Sequence, residues 1–387
     1  MQALGSRRQC EREAVADGAR PPRRRLDNLN RLAGTDESDI LHGDTLNDYL
    51  CSLPSCHLEQ IPPKMVQRLI RMRALDYARL FARYLLVIDA TGIGHYHRPH
   101  CNYCLTQKRN GEVLYYHLVL EAKLITPEGM VFSVGSEFVE NTDPSATKQD
   151  CELAALPRLA AKIKERFPRL RICVLLDALY ANQNVLALCD RYHWNRIISF
   201  KATRLPTAFR EFHTLKALCP ENTIETRVDE RYQRLSWVED LEHEAHRFTG
   251  FDCLTYSDDG QPVYFAWLTD LPVNVRTVVK LANHGGRKRW TIENQGFNNQ
   301  KNQGYELEHA YSEDNNAAKN YYFILQIAHT LLQLLTHGLV AAAFKSLIGT
   351  MKNFFIRFAD SLRHEQISPR AVCPEACAHI QIRLAPT

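Results

Sequence analysis

Three acids, Asp89, Asp177 and Glu293, stand in surroundings that give them a chemical use. Asp89 closes the short apolar run Tyr84 to Asp89, and Asp177 closes the run Arg171 to Asp177. Each carboxylate is therefore expected where a buried-type strand opens into a loop. If the two strands lie parallel and adjacent, these side chains meet at the sheet edge where α/β folds take their ligands. Glu293 belongs to the series Arg289, Glu293, Phe297 and Lys301, four residues apart, which a helix lines up along one side. Clustered carboxylates repel one another and need cations, and an all-oxygen donor set suits Mg²⁺ or Mn²⁺. Two such ions can activate an attacking hydroxyl and stabilise the leaving oxygen of a phosphodiester. Arg289, as a bidentate fork, and Lys301, as a point charge, are then candidates for holding phosphate. Arg287 and Lys288 stand beside them in the same basic run. Taken singly, each acid has an ordinary explanation: a strand-end Asp caps a turn, and a helical Glu faces water. The combination is what points to chemistry.

The elements that must position these acids follow from the apolar periodicity. After Tyr84 to Asp89 comes a polar loop, then two strand-like runs, Val113 to Ile125 and Met130 to Phe138, joined by the turn signal Thr-Pro-Glu-Gly. Gln149 to Arg166 has helical spacing, Arg171 to Asp177 reads as a strand, Asn182 to Tyr192 as a helix and Arg196 to Phe200 as a strand. The order is β-β-β-α-β-α-β. Residues 201–284 change character, with alternating runs and a Ser-Asp-Asp-Gly-Gln hairpin signal, and are expected to form a β-rich insertion. Helical patterning returns at Arg287 and persists to about Phe358, with a break at Gly304. Before the core, Thr45 to Leu53 and Lys64 to Tyr84 read as helices. These readings divide the chain into a basic, helical N-terminal region (1–82) with potential DNA contacts, a core in two parts (83–200 and 285–358) around the insertion, and a C-terminal tail (359–387).

The segments Val87-Ile88-Asp89-Ala90-Thr91-Gly92, Leu175-Leu176-Asp177-Ala178-Leu179-Tyr180-Ala181 and Arg289-Trp290-Thr291-Ile292-Glu293 resemble those of insertion-sequence DDE transposases. The resemblance runs from about residue 40 to residue 340. It implies an α/β fold, a ribonuclease-H-like mixed sheet flanked by helices, interrupted by a β-rich insertion before the helix that bears the Glu. It further implies two divalent metals held by Asp89, Asp177 and Glu293, double-stranded DNA (terminal inverted repeats and target) as partner, strand transfer as a second step, and a homodimer on DNA. The family's pattern around the Glu is Tyr, two residues, Arg, three residues, Glu, six residues, Lys. Here Gly286 stands at the Tyr position, and Lys301 comes one residue late, with Gln300 where Lys would fall. On a regular helix that delay turns Lys301 by roughly 100°. The amide-rich Asn298 to Asn302 is either a solvated helix face or a DNA contact, and Trp290 either packs in the core or stacks on a base.

A second constellation lies after the first strand: His95, His97, His100, Cys101 and Cys104, with His117 on the next strand. A Cys-x-x-Cys with two imidazoles can bind Zn²⁺ tetrahedrally, with His100, Cys101, Cys104 and His117 as the set, in a structural role that pins the loop beside Asp89. Cys373, Cys377 and His379 are far away in sequence, and Cys151, Cys173 and Cys189 sit in apolar patterns that read as core.

Composition bounds the rest. A chain of 387 residues, 45% hydrophobic, can bury a core, and a net charge of +4 excludes a histone-like polycation. Basic residues cluster in Arg20 to Arg25, Lys64 to Arg83 and Arg287 to Arg289. Twelve scattered cysteines and no apolar leader point to a reducing, cytoplasmic location, with nucleoid association if DNA is the partner. Tyr321 to Phe344 is strongly apolar, but Gln326, His329, Gln333 and His337 give it the polar stripe of an amphipathic helix rather than a membrane span. The residues alone support a metal-dependent phosphodiesterase. A non-transposing nuclease and a catalytically inactive DNA-binding remnant are the alternatives.

Overall fold

The computed structural model describes residues 23–39, 42–99, 101–142, 148–256, 261–309, 311–338, 349–368 and 384. The chain divides into two compact units, one from residues 1–49 and 344–381, the other from 50–343 and 382–387. In the smaller unit, helix Arg23–Ala33 lies against helix Met351–His364. Buried Asn28 ties them together: its Nδ2 donates to the carbonyls of Leu362 (3.0 Å) and Glu365 (2.6 Å), and its Oδ1 accepts from the Ile367 N–H (3.0 Å).

In the larger unit, α1 (Ile61–Arg71) starts with Pro62 and Pro63 in its first turn, where the missing N–H costs nothing. The helical pattern expected to run from Lys64 to Tyr84 stops at Arg71. Arg73 takes φ +60°, its guanidinium bonds Asp76 at 2.8 Å, and the chain turns into the short β1 (Arg79–Leu80) before β2 (Arg83–Tyr96). No Gly or Pro marks that break.

The unit is mixed α/β: one large mixed sheet of eleven strands, flanked by helices. β3 (Leu105–Arg109), β4 (Glu112–Ile125) and β5 (Val131–Val139) are followed by α2 (Glu152–Arg166), β6 (Ile172–Leu176), α3 (Gln183–Tyr192) and β7 (Asn195–Ser199). β4 forms hairpins with β3 before it and β5 after it and lies antiparallel to β2, while the crossovers through α2 and α3 set β6 parallel to β2 and β7 parallel to β6. All five residues of β6 are buried, as a central parallel strand covered on both faces requires. α2 presents Ala155, Leu156, Leu159, Ala160 and Ile163 to the sheet at helical spacing. Asn182 caps α3 by accepting from the Val185 N–H.

The stretch after Asp89 is not the loop the sequence suggested. β2 continues to Tyr96, and β3 follows. This half of β2 is less deeply buried than Tyr84 to Ile88 and so lacks a continuous apolar run.

Residues 201–284 begin with α4 (Pro206–Leu218) and then form the meander β8 (Thr223–Val228), β9 (Arg231–His243), β10 (His246–Tyr256) and β11 (Pro262–Thr269). β11 pairs antiparallel with β7, so the insertion extends the core sheet.

A helical segment, 278–302, follows, then α5 (Asn315–His337). The polar stripe of α5 faces inward: Gln326, His329 and Gln333 are buried, whereas Ile324, Leu331 and Leu335 are exposed. Among the described residues no helix is long and apolar enough to cross a membrane. Cys173 and Cys189 are buried as expected, but Cys151, just before the first turn of α2, is exposed.

Candidate active site

The parallel register sets the first two acids side by side. β2 and β6 pair through Val87↔Leu175, and two residues further along each strand stand Asp89 and Asp177. Side chains repeat every second residue on a strand, so both carboxylates leave the sheet on the same side as that pair. Asp177 follows the last residue of β6, as expected. Asp89 does not end its strand: β2 runs on, paired with β4 alone, and Asp89 lies just past the point where β6 stops. Each of these two acids accepts a backbone hydrogen bond at its Oδ1. Asp89 Oδ1 accepts from the Ala90 N–H at 3.0 Å, and Asp177 Oδ1 accepts from the Leu179 N–H at 2.7 Å, capping the 3₁₀ turn Ala178–Tyr180. The turn-capping role of a strand-end Asp and its presence in the site thus coexist in Asp177.

Glu293 comes from segment 278–302, which opens nine residues before Arg287 and is far from a regular α-helix. It contains a π turn at Leu281–Gly285, a 3₁₀ turn at Gly286–Arg289 and a second π turn at Ile292–Phe297. Gly286 lies so close to the Trp267 indole that a Cβ would stand 2.3 Å from the ring, which explains why a large side chain is missing there. In the second π turn the Asn298 N–H bonds the Glu293 carbonyl, an i→i+5 closure that takes up one extra residue. The late Lys301 is thereby returned to the side of Glu293. Gln300, at the position where the spacing called for Lys, is fully buried and bonds Gln326 and His329.

The outcome is one open, polar cavity lined by Asp89, Asp177, Glu293, Arg289 and Lys301, with Trp290 and Asn298 on its wall. Arg289 pairs with Asp89 Oδ2 at 3.1 Å and lies over the Trp290 ring, 4.4 Å from its centroid. Trp290 is 47% exposed, so core packing is not its role. Lys301 pairs with Glu308 at 2.8 Å. Arg287 and Lys288 are placed elsewhere. Arg287 bonds Thr255 and covers the Phe265 ring on the insertion strands, and Lys288 Nζ donates to the Pro127 carbonyl at 2.9 Å. The 3₁₀ turn points the three successive basic residues in different directions.

Burial pushes the Asp89 carboxyl up to about 6. Arg289 pulls against that rise, and Asp177 and Glu293 add to it. A fourth carboxylate, missed in the sequence, belongs to this neighbourhood. Glu152, in the first turn of α2, accepts from the Tyr180 hydroxyl at 3.2 Å, and burial together with Asp89 and Asp177 holds its carboxyl above the usual range. A first-turn Glu ordinarily reads as a match to the helix dipole, and nothing in the spacing of α2 says which sheet edge it approaches.

The donor set fits hard divalent cations: oxygen only, with several carboxylates in one polar cavity and mutual repulsion for a cation to relieve. Among the described residues, Cys101, Cys104 and His117 bring three ligand atoms within 4.8 Å of one another. The cysteine cluster is a separate place in the fold, and His100 lies outside the described residues. Comparison with known proteins finds no family model that matches the chain and no curated protein that matches it.

Proposed function

We propose that the protein is a DDE-type DNA transposase built on a ribonuclease-H-like core, which cuts DNA at element ends and joins the freed 3′-hydroxyl to a target phosphodiester. The observation that carries this reading is the meeting of Asp89, Asp177 and Glu293 with Arg289 on one open cavity, where β6 ends and its parallel pairing with β2 stops. The strand sequence β5-β4-β2-β6-β7, antiparallel on one side of β2 and parallel on the other, supports the finer fold assignment. The resemblance of the three acid-bearing segments supplies strand transfer, the terminal repeats and target DNA as partners, and the homodimer.

Asp89, Asp177 and Glu293 would hold Mg²⁺ or Mn²⁺, which when bound supplies charge neutralisation at the phosphodiester and a more acidic water. The chain's own groups do the positioning. Arg289 gives its fork to a non-bridging phosphate oxygen on leaving Asp89 Oδ2, and Lys301 adds a point charge from the next turns of the same segment. The exposed Trp290 face, beside that phosphate position, can receive an unstacked base.

The test is cleavage of a labelled duplex carrying the flanking element end, in Mg²⁺, Mn²⁺ or EDTA, by wild type and Asp177→Asn. The expected result is metal-dependent nicking at the end, reduced about 10³-fold in the variant, a loss of several kcal/mol of charge stabilisation. Duplex binding is retained, because it rests on basic residues. Undiminished cleavage by the variant, or binding without cleavage in every metal, overturns the proposal; nicking without joined products reduces it to a nuclease.

A further inference from the structure

We propose that Cys101, Cys104 and His117 form a zinc site that fastens the excursion between β2 and β3 to β4. This inference is independent of the function proposed above. The Sγ atoms of Cys101 and Cys104 are 3.9 Å apart, and His117 Nε2 lies 3.3 Å from the first and 3.4 Å from the second. With Zn–S of about 2.3 Å and Zn–N of about 2.0–2.1 Å, the edges of a regular tetrahedron are about 3.8 Å between sulfurs and about 3.6 Å between sulfur and nitrogen. The three atoms thus already outline one face of the polyhedron that Zn²⁺ prefers.

Both sulfurs also accept backbone hydrogen bonds, as metal-bound thiolates need. The Tyr103 N–H donates to Cys101 Sγ at 3.3 Å, and the Cys101 N–H donates to Cys104 Sγ at 3.4 Å. These outer contacts fix the sulfurs in place and spread their charge. Two thiolates, a neutral imidazole and Zn²⁺ sum to zero, so a part-buried position carries no net charge. Soft sulfur donors exclude Mg²⁺, which keeps this site chemically distinct from the carboxylate cavity.

The ligands come from two directions. His117 sits on β4 opposite Gly94 of β2, and β3 pairs with the same stretch of β4 through Leu105↔Tyr116. An ion here closes the ring formed by the end of β2, the excursion carrying Cys101 and Cys104, and β4. Among the described residues no fourth His, Cys, Asp or Glu joins the group, and Cys101 and His117 line a cavity. In the proposed site the fourth position falls to a water or to a donor outside the described residues.

The experiment uses the full chain purified under reducing conditions. Metal analysis is expected to give about one Zn²⁺ per chain, retained in Asp177→Asn and lost in Cys101→Ser, Cys104→Ser and His117→Ala, with a lower Tm after chelation. Should those variants fail to fold, Co²⁺ added to chelated wild type provides the second readout: a thiolate-to-cobalt charge-transfer band in the near ultraviolet. A wild-type chain that binds neither metal overturns the proposal. So does a Cys101–Cys104 disulfide in place of the metal, or zinc content unchanged in a folded Cys101→Ser/Cys104→Ser double variant.

Discussion

At the residue scale, Asp89 shows what it costs to keep an acid ready for a cation. Its folded pKa of about 6 lies above the unfolded value near 3.9, chiefly because it is desolvated. Folding therefore takes up a proton between roughly pH 4 and pH 6, and the stability contributed by this group falls as pH rises through that window. Above about 6 the penalty is complete, while below about 4 both states are protonated and it vanishes. Asp89→Asn removes the ionisation and keeps the shape. In EDTA at about pH 7.5 the variant is expected to be more stable than wild type by on the order of 1–3 kcal/mol, and to match it near pH 4. Urea melts at the two pH values measure this, and a variant no more stable at pH 7.5 would remove burial as the cause. Asp89 and Asp177 were legible because each follows a buried run. Glu152 was not, since its proximity to them depends on how α2 crosses the sheet.

Elements explain what residue spacing misread. Counting by four predicts a straight stripe through Arg289, Glu293, Phe297 and Lys301, and the cavity holds all four, but through π and 3₁₀ turns rather than a regular helix. A π turn leaves no compositional mark, so the return of Lys301 and the burial of Gln300 could not be read from the sequence. The inward polar face of α5 is the same kind of lesson: the polar stripe that includes Gln326 and His329 does not say which way it faces, and in the fold Gln300 and the fully buried Lys123 meet it. Lys123 Nζ donates to Gln326 Oε1 at 2.5 Å and lies 3.5 Å from Glu121, whose other oxygen accepts from Ser136 and Tyr322. Burial lowers the Lys123 pKa against the pull of Glu121. This network ties β4, α5 and segment 278–302 together beneath the acids. Lys123→Met strands a buried carboxylate and is expected to cost about 3–5 kcal/mol, much of it recovered in Lys123→Met/Glu121→Gln. Urea midpoints of the single and double variants test this; a double variant no more stable than Lys123→Met would show that the charge pair is not the source.

For the whole molecule, the decisive feature is the sheet that runs unbroken from the core into residues 201–284. The β content of that stretch was legible from its alternation and hairpin signal. Its attachment was not, because pairing between β7 and β11 joins Ser199 to Trp267 across 68 residues, and no local pattern encodes a long-range partner. The same Trp267 seats Gly286, so the insertion forms part of the wall against which segment 278–302 is built. Removing it would open an edge on β7 and unseat the segment that carries Glu293. Core and insertion should therefore unfold as one cooperative body. Trp194 is buried between α3 and β7, and Trp267 is buried on β11, so each can report its own half. Two variants, each keeping one of these indoles and carrying Phe at the other three Trp positions, are expected to give urea transitions by fluorescence that coincide with the transition of the same variant by circular dichroism. If the Trp267 signal is lost at lower urea than the Trp194 signal within matched backgrounds, the insertion is a separately folding module. In that case the shared sheet would not be what holds the acid-bearing segment in place.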